Sequence, residues 1–150
     1  MLKKILPIVI VVAGGLLLAQ RAHWFNSPTA ASVVAGSEST TDAILARAFE
    51  EQKSNLQIEG RGVVAKILRD DNDGSRHQRF LVRLNSGQTL LIAHNVDLAP
   101  RVADLHEGDA IAFYGEYEWN NKGGVVHWTH RDPSGRHVAG WLEHAGQRYQ

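Results

Sequence analysis

The densest group of chemically versatile side chains lies near the C-terminus, in the stretch VVHWTHRDPSGRHVAGW at residues 125–141. The sequence contains no cysteine, so a metal ion in this stretch would need imidazole and carboxylate ligands. Three neutral imidazoles around an open coordination position suit zinc, which lowers the pKa of a bound water molecule to about 7 and so supports hydrolysis. The candidate metal ligands are His127, His130, Asp132 and His137.

The relative positions of these histidines depend on the backbone. In a β-strand the side chains alternate, so His127 and His130 point to opposite faces. The DPSG segment that follows is typical of a type I turn. A two-residue loop would place His130 opposite His137, with about 5 Å between their Cβ atoms. A three-residue loop with Gly135 left-handed would place Arg131 opposite His137 instead. The turn residues favour this second register, in which the histidine pair does not form.

A second polar group is predicted around a hairpin in the middle of the chain. The NSG segment at residues 85–87 predicts a turn, and pairing outward from it brings His94 beside Gln78 or Arg79. Such a hairpin gathers cationic and hydrogen-bonding groups that can hold a phosphate or carboxylate. Aromatic rings nearby can stack on bases or sugars, although small barrels also use such rings in the core. The predicted ligand-binding residues are Arg76, His77, Arg79, His94, Arg101, Trp119 and Trp128.

Short β-rich segments separated by turn residues must position both groups. Pro100 and Gly108 predict a short helix between the third and fourth of these segments. Three strands, a short helix and two more strands follow the order of an OB-type barrel, which uses one face for ligands. The predicted strands are residues 57–68, 76–85, 88–95, 109–119 and 124–130.

An amphipathic helix is predicted within residues 39–55, before the first strand. Ser39 to Thr41 are cap-type residues that predict its start. We expect its apolar face to pack on the barrel, and that face consists of Ile44, Leu45, Ala48 and Phe49. The predicted fold class is therefore mainly β: a small OB-like five-stranded barrel with an N-terminal amphipathic helix and a C-terminal hairpin.

The start of the chain has the pattern of an export signal. Lys3 and Lys4 precede a mainly apolar stretch that ends before Arg21. The stretch is short for a bilayer span and lacks a clean cleavage site, so the sequence leaves cleavage and retention both open. We predict an exported protein that is periplasmic, or anchored in the inner membrane and facing the periplasm. The predicted organisation is a signal peptide or membrane anchor over residues 1–22, a linker over 23–40, and a helix plus OB-like β-domain over 41–150.

The composition limits the classes of function. Sixteen Lys plus Arg balance sixteen Asp plus Glu, so the net charge of zero does not favour a nucleic-acid partner. No zinc-protease motif, phosphate loop, dinucleotide fingerprint or nucleophile elbow occurs. The acidic segment DDNDGS at residues 70–75 lacks the spacing of a calcium loop and is predicted to be a solvated turn.

Three segments carry a resemblance to a known group of proteins. They read GSRHQRFLVRLNSGQTLLIAHNVDLAPR, EGDAIAFYGEYEWNNKGGVVHWTHRDP and RHVAGWLEHAGQRY, and the resemblance covers residues 58–149. In these segments the chain resembles short exported bacterial proteins that carry a single domain of unknown function. The resemblance implies no activity.

The sequence thus leads to two main expectations for function, and it also leaves open a structural or stress-related envelope protein that acts through the helix from Ile44 to Phe49. The first is non-catalytic binding of a small anionic or polymeric ligand, or of an envelope protein, on the periplasmic side. The alternative is a metal-dependent hydrolase, similar to a phosphodiesterase or nuclease, with zinc on the histidine cluster and Arg76 or Arg101 holding the anion. The sequence leaves open whether the protein is an enzyme.

Overall fold

The computed structural model describes residues 30–150, with side chains from residue 40 onward. The predicted signal or anchor at residues 1–22 lies outside this range. Within the described residues, no helix combines the length and apolar character needed to cross a membrane. The elements are α1 (Ala30–Glu50), β1 (Leu56–Ile67), β2 (His77–Arg83), β3 (Thr89–Asn95), β4 (Ala110–Glu118), β5 (Val125–His127), β6 (Trp141–His144) and β7 (Gln147–Tyr149).

Five of the strands close into a barrel. The neighbours follow the order β1, β2, β3, β5, β4, and β4 returns to pair with β1. All of these pairs are antiparallel except β3–β5, which is parallel. An irregularity between Val64 and Lys66 lets the long strand β1 turn from β4 toward β2. The predicted OB-like five-stranded barrel is therefore confirmed.

Alternation along the strands separates a core from an outer face. β2, β3 and β4 bury every second residue, as the period of a β-strand requires. The predicted register of the β2–β3 hairpin is confirmed, because His94 lies opposite Gln78. The fully buried side chains of the barrel strands include Phe80, Val82, Leu90, Ile92, Phe113, Tyr117 and Val126.

The last barrel strand is interrupted. β5 pairs with the end of β4, β6 pairs with the beginning of β4, and residues 128–140 leave the ladder between them. We call residues 128–140 the excursion. It begins at Trp128, whose left-handed backbone (φ 52°) ends β5 earlier than predicted. It closes at Gly140, where a Cβ would clash with the main-chain oxygens of Trp128 and Tyr114.

Neither predicted pairing of His137 forms, because the excursion is a compact loop and not a β-hairpin. The carboxylate of Asp132 accepts hydrogen bonds from the main-chain N–H groups of Ser134, Arg136 and His137, which takes these groups out of any ladder. The predicted DPSG turn itself is present, with Gly135 N–H donating to Asp132 O over 3.0 Å. The C-terminal hairpin is formed by β6 and β7.

Helix α1 covers one end of the barrel. It buries Leu45 and Ala48 against the core, whereas Ile44, which was predicted to pack on the barrel with them, is exposed. Asp42 accepts a hydrogen bond from Ser86 N–H in the β2–β3 turn, and Thr41 donates to the main-chain oxygen of Glu59. α1 begins at Ala30, so residues 30–40 of the predicted linker are helical, and Thr41 makes a tertiary contact where a cap was predicted.

The connection between β3 and β4 closes the other end of the barrel. The prediction of a short helix between Pro100 and Gly108 is wrong, because this segment consists of turns. Its main-chain groups bond to buried barrel side chains. Gln78 donates to Val102 O and accepts from Val102 N–H, and His94 contacts Pro100 O. These contacts replace the bonds that a helix would make within itself.

Candidate functional site

A groove opens where β3 and β5 separate. The two strands pair only at Leu91–Val125 and Ile92–Val126. β3 then continues to Asn95, while β5 ends at His127 and is followed by the excursion. The groove between them has a volume of about 290 Å³, at the lower end of the range for small-molecule sites. Its lining includes His77, Ala93, Asn95, His127, Trp128 and His130.

The main chain fixes the orientation of two of these imidazoles. His77 Nδ1 lies 2.8 Å from Ser75 O, and His130 Nδ1 lies 2.8 Å from Arg131 O. A carbonyl oxygen only accepts, so Nδ1 carries the proton in each neutral ring and Nε2 keeps its lone pair. Both residues line the groove, although His130 is almost completely buried, and an imidazole lone pair can accept a hydrogen bond or bind a metal ion.

Trp128 and His137 form a rigid wall. Their rings stack with centroids 4.2 Å apart and planes 9° from parallel. His137 Nδ1 contacts Val138 O at 2.9 Å, and Nε2 contacts a carboxylate oxygen of Glu116 at 2.5 Å. Burial opposes the charged ring, but the hydrogen bonds to Val138 and Glu116 outweigh burial and raise the pKa of His137. The wall is thus tied to β4 by a charge-assisted hydrogen bond.

Glu116, Glu118 and His127 form a cluster on the outer face of the barrel, and we call these three residues the outer-face cluster. A carboxylate oxygen of each glutamate and a ring nitrogen of His127 all lie within 4.8 Å of one another. Glu116 Oε1 is 3.9 Å from His127 Nε2. This Nε2 atom is buried and has no hydrogen-bond partner among the described residues. Burial lowers the pKa of His127, which keeps the ring neutral.

The carboxyl group of Glu116 is held in its charged form. Burial would raise its pKa, but the hydrogen bonds with His137 and Glu118 together with the nearby imidazoles lower it. A carboxylate oxygen of Glu118 lies within 4.8 Å of one of Glu116. Two ionised carboxylates at that distance repel unless a proton or a cation lies between them.

The predicted cationic group is largely neutralised by acidic neighbours. Arg76 Nε lies 2.7 Å from Asp97. Arg79 lies 3.6 Å from Asp71 and also donates to Arg69 O. Arg101 is paired with Asp70. Two of these aspartates belong to the predicted solvated turn, which thus binds arginines of its own domain.

Two other predicted ligand-binding residues lie away from the groove surface. His94 is fully buried, and its ring nitrogens contact Thr129 Oγ1 at 2.9 Å and Pro100 O at 3.0 Å. Burial lowers the pKa of His94 to about 4. Trp119 lies at the opposite end of the barrel, where its indole N–H donates to Phe49 O. Of the predicted ligand-binding set, His77 and Trp128 line the groove.

The four predicted metal ligands separate into three locations. His127 and His137 approach the same carboxylate, that of Glu116. His130 faces the groove, and Asp132 orders the loop of the excursion. Sequence reasoning missed Glu116 and Glu118. Alternation along the predicted strand 109–119 could have placed them on one face, but only the β4–β5 register puts Glu116 opposite His127.

A family model described as "Protein of unknown function (DUF3465)" matches residues 29–150. No curated protein matches the chain. The match covers the whole described domain, from α1 to β7. The chain belongs to the DUF3465 family of proteins of unknown function.

Proposed function

We propose that this protein is an exported, non-catalytic binding module whose groove takes an uncharged saccharide chain. The observation that carries the proposal is the groove between β3 and the excursion, which combines acceptor nitrogens with an indole wall. The proposal keeps the polymeric ligand that the sequence suggested and narrows its chemistry.

The position of the groove on the barrel supports this proposal. It lies on the β2–β3 side and includes Ser75 from the loop between β1 and β2. OB-type barrels bind oligonucleotides and oligosaccharides on the face of their second and third strands and on the adjoining loops. The fold alone does not choose between these two polymers, so the choice depends on the side chains.

The hydrogen-bonding groups favour the saccharide. His77 and His130 offer lone pairs to the hydroxyl and amide hydrogens of a sugar. Asn95 uses its Oδ1 to accept from Asp97 N–H, which leaves its amide hydrogens for a ligand oxygen. An anionic polymer would instead need free cations, and Arg76, Arg79 and Arg101, the arginines predicted to hold an anion, are paired with aspartates.

Export is the second part of the proposal. It rests on Lys3, Lys4 and the apolar stretch that follows them. On the periplasmic side of the inner membrane a protein meets cell-wall polysaccharide, whose N-acetylated sugars carry the hydroxyl and amide donors that the groove can accept.

Calorimetric titration of the full-length chain with chitotetraose, an uncharged oligomer of N-acetylglucosamine, tests the proposal. His77→Phe and His130→Phe keep a ring in the groove and remove the acceptor nitrogen. Each variant should weaken binding roughly five- to tenfold, as expected for one lost hydrogen bond. His106→Phe is the matched control, because His106 is an exposed histidine outside the groove. Equal affinities for all four proteins, or tighter binding of a short oligothymidylate or of pyrophosphate, would overturn the saccharide assignment.

A metal-dependent hydrolase is the second candidate, and the outer-face cluster is the observation that favours it. A divalent ion held there could activate a water molecule. Hydrolysis of bis-p-nitrophenyl phosphate in the presence of Zn²⁺ or Mn²⁺, abolished by Glu118→Gln, would put this candidate first.

A further inference from the structure

We infer that the outer-face cluster is a binding site for a divalent transition-metal ion, with Glu116, Glu118 and His127 as ligands. The inference does not rest on the proposed saccharide site, because it concerns the β4–β5 face of the barrel. His127 borders both sites, so the tests below use the two glutamates to separate them.

The β-ladder places the three donors together. Glu116 and Glu118 are two residues apart on β4, so both point outward. His127 is the cross-strand partner of Glu116. Zinc binds imidazole nitrogen and carboxylate oxygen at about 2.0 to 2.2 Å, so two ligand atoms of one ion lie at most about 4.4 Å apart. The donor atoms here lie within 4.8 Å of one another, and small side-chain rotations bring them onto one ion.

Two buried nitrogen atoms beside this cluster have no hydrogen-bond partner in the part of the chain that the structure describes. One is His127 Nε2, which lies 3.9 Å from Glu116 Oε1. The other is Nε2 of Gln57, the residue opposite Glu116 on β1, which is an amide donor and does not itself bind a cation. Buried polar atoms in proteins are nearly always paired, so a buried, unpaired lone pair suits a bound ion or water molecule. Coordination would satisfy the lone pair of His127 directly.

The surroundings of the cluster also suit a cation. Glu116 and Glu118 place two carboxylate oxygens within 4.8 Å of each other. His137 donates to Glu116 and is itself held by Val138 O. Carboxylates that bind metal ions are usually held in this way by an outer hydrogen bond. His137 is therefore a positioning residue, which orients Glu116 without belonging to the ligand set.

The donor types indicate which ions bind. Imidazole nitrogen favours zinc and other first-row transition metals, and carboxylate oxygen also suits manganese. Calcium and magnesium prefer sites built from oxygen alone. We therefore expect Zn²⁺ to bind most tightly among Zn²⁺, Mn²⁺, Ca²⁺ and Mg²⁺.

The test is a Zn²⁺ titration of the untagged full-length chain, stripped with EDTA, in competition with a chromophoric chelator. We expect one Zn²⁺ per chain, and at least tenfold weaker binding in Glu116→Gln and Glu118→Gln. His137→Phe should weaken binding roughly tenfold, as removal of an outer partner does. Glu59→Gln is the matched control, because Glu59 is an exposed outward glutamate on the neighbouring strand β1 and should leave the affinity unchanged. Circular dichroism checks that each variant is folded.

Imidazole ¹⁵N spectra identify the binding nitrogen. Zn²⁺ should shift the Nε2 resonance of His127 and leave His77 and His130 unchanged. Absence of stoichiometric Zn²⁺, unchanged affinity in Glu118→Gln, or Zn²⁺-dependent shifts confined to His77 and His130 would each overturn the inference. Chitotetraose binding should persist in Glu118→Gln, so loss of the metal site and loss of the saccharide site are distinguishable.

Discussion

The buried imidazole of His94 should make the stability of the domain depend on pH. The ring is fully buried between the β3–β4 connection and the base of the excursion. Pro100 O can only accept, so Nε2 carries the proton, and Nδ1 accepts from the hydroxyl of Thr129. This neutral ring has both nitrogens satisfied. Protonation would place an added charge in the core.

The expected loss of stability at low pH follows from the pKa of His94 in the folded and unfolded states. Burial, together with the nearby imidazoles of His130 and His77, lowers the folded pKa to about 4, against 6.5 for an exposed histidine. Between these values the unfolded chain binds more protons than the folded one, so stability is complete above pH 6.5 and falls as the pH decreases. At about pH 4.5 the loss is about 2.5 kcal/mol.

Urea unfolding between about pH 7.5 and 4.5 measures this loss. His94→Gln keeps hydrogen-bonding capacity but does not titrate. The variant should be less stable than the wild type at pH 7.5, and the difference between them should narrow by about 2 to 3 kcal/mol toward pH 4.5. Parallel curves for the two proteins, or a ring of His94 that titrates near 6.5 by NMR, would refute the reasoning.

Two further predictions concern packing. Leu45→Ala should lower the free energy of unfolding by about 2 to 5 kcal/mol, because it leaves a cavity at a fully buried site between α1 and the barrel. Ile44→Ala, on the exposed side of the same helix, should change it by less than about 0.5 kcal/mol. Similar losses for the two variants in a urea titration would contradict the observed packing of α1. Gly124→Ala should cost at least about 3 kcal/mol, because φ is 102° and a Cβ would clash with the ring of Tyr117. Gly135→Ala, with φ 65° and no atom within 4 Å of the added Cβ, should lower the free energy of unfolding by only about 1 kcal/mol in the same assay. Equal losses for Gly124→Ala and Gly135→Ala would exclude the clash.

Local patterns were sufficient to predict most of the barrel. Alternation and turn residues indicated the five strands, and the NSG turn fixed the register that pairs Gln78 with His94. The interruption of the last strand could not be predicted in this way. It depends on the left-handed backbone of Trp128 and on the close approach at Gly140, which are both tertiary features. The prediction of a helix after β3 was wrong for a similar reason, because the main-chain N–H and oxygen of Val102 bond to the side chain of Gln78.

The candidate site was only partly predictable, because composition does not reveal which charges neutralise each other. The sequence places Arg101 and Asp70 far apart, and the fold pairs them. In the outer-face cluster the fold creates a candidate site instead of neutralising one. Glu116 and Glu118 belong to an ordinary alternating strand. They form a possible metal site only because the pairing of β4 with β5 brings His127 beside them. Cross-strand register is the information that the sequence lacked.

The most direct test of the proposed binding function is a ¹H–¹⁵N correlation spectrum of the full-length chain during titration with chitotetraose. Binding in the groove predicts shifts of the amides of Ala93 and Asn95 and of the indole N–H of Trp128. The indole N–H of Trp119, which is bonded to α1 at the other end of the barrel, should not move. An unchanged spectrum, or shifts confined to Trp119 and its neighbours, would contradict the assignment of the groove as a saccharide site.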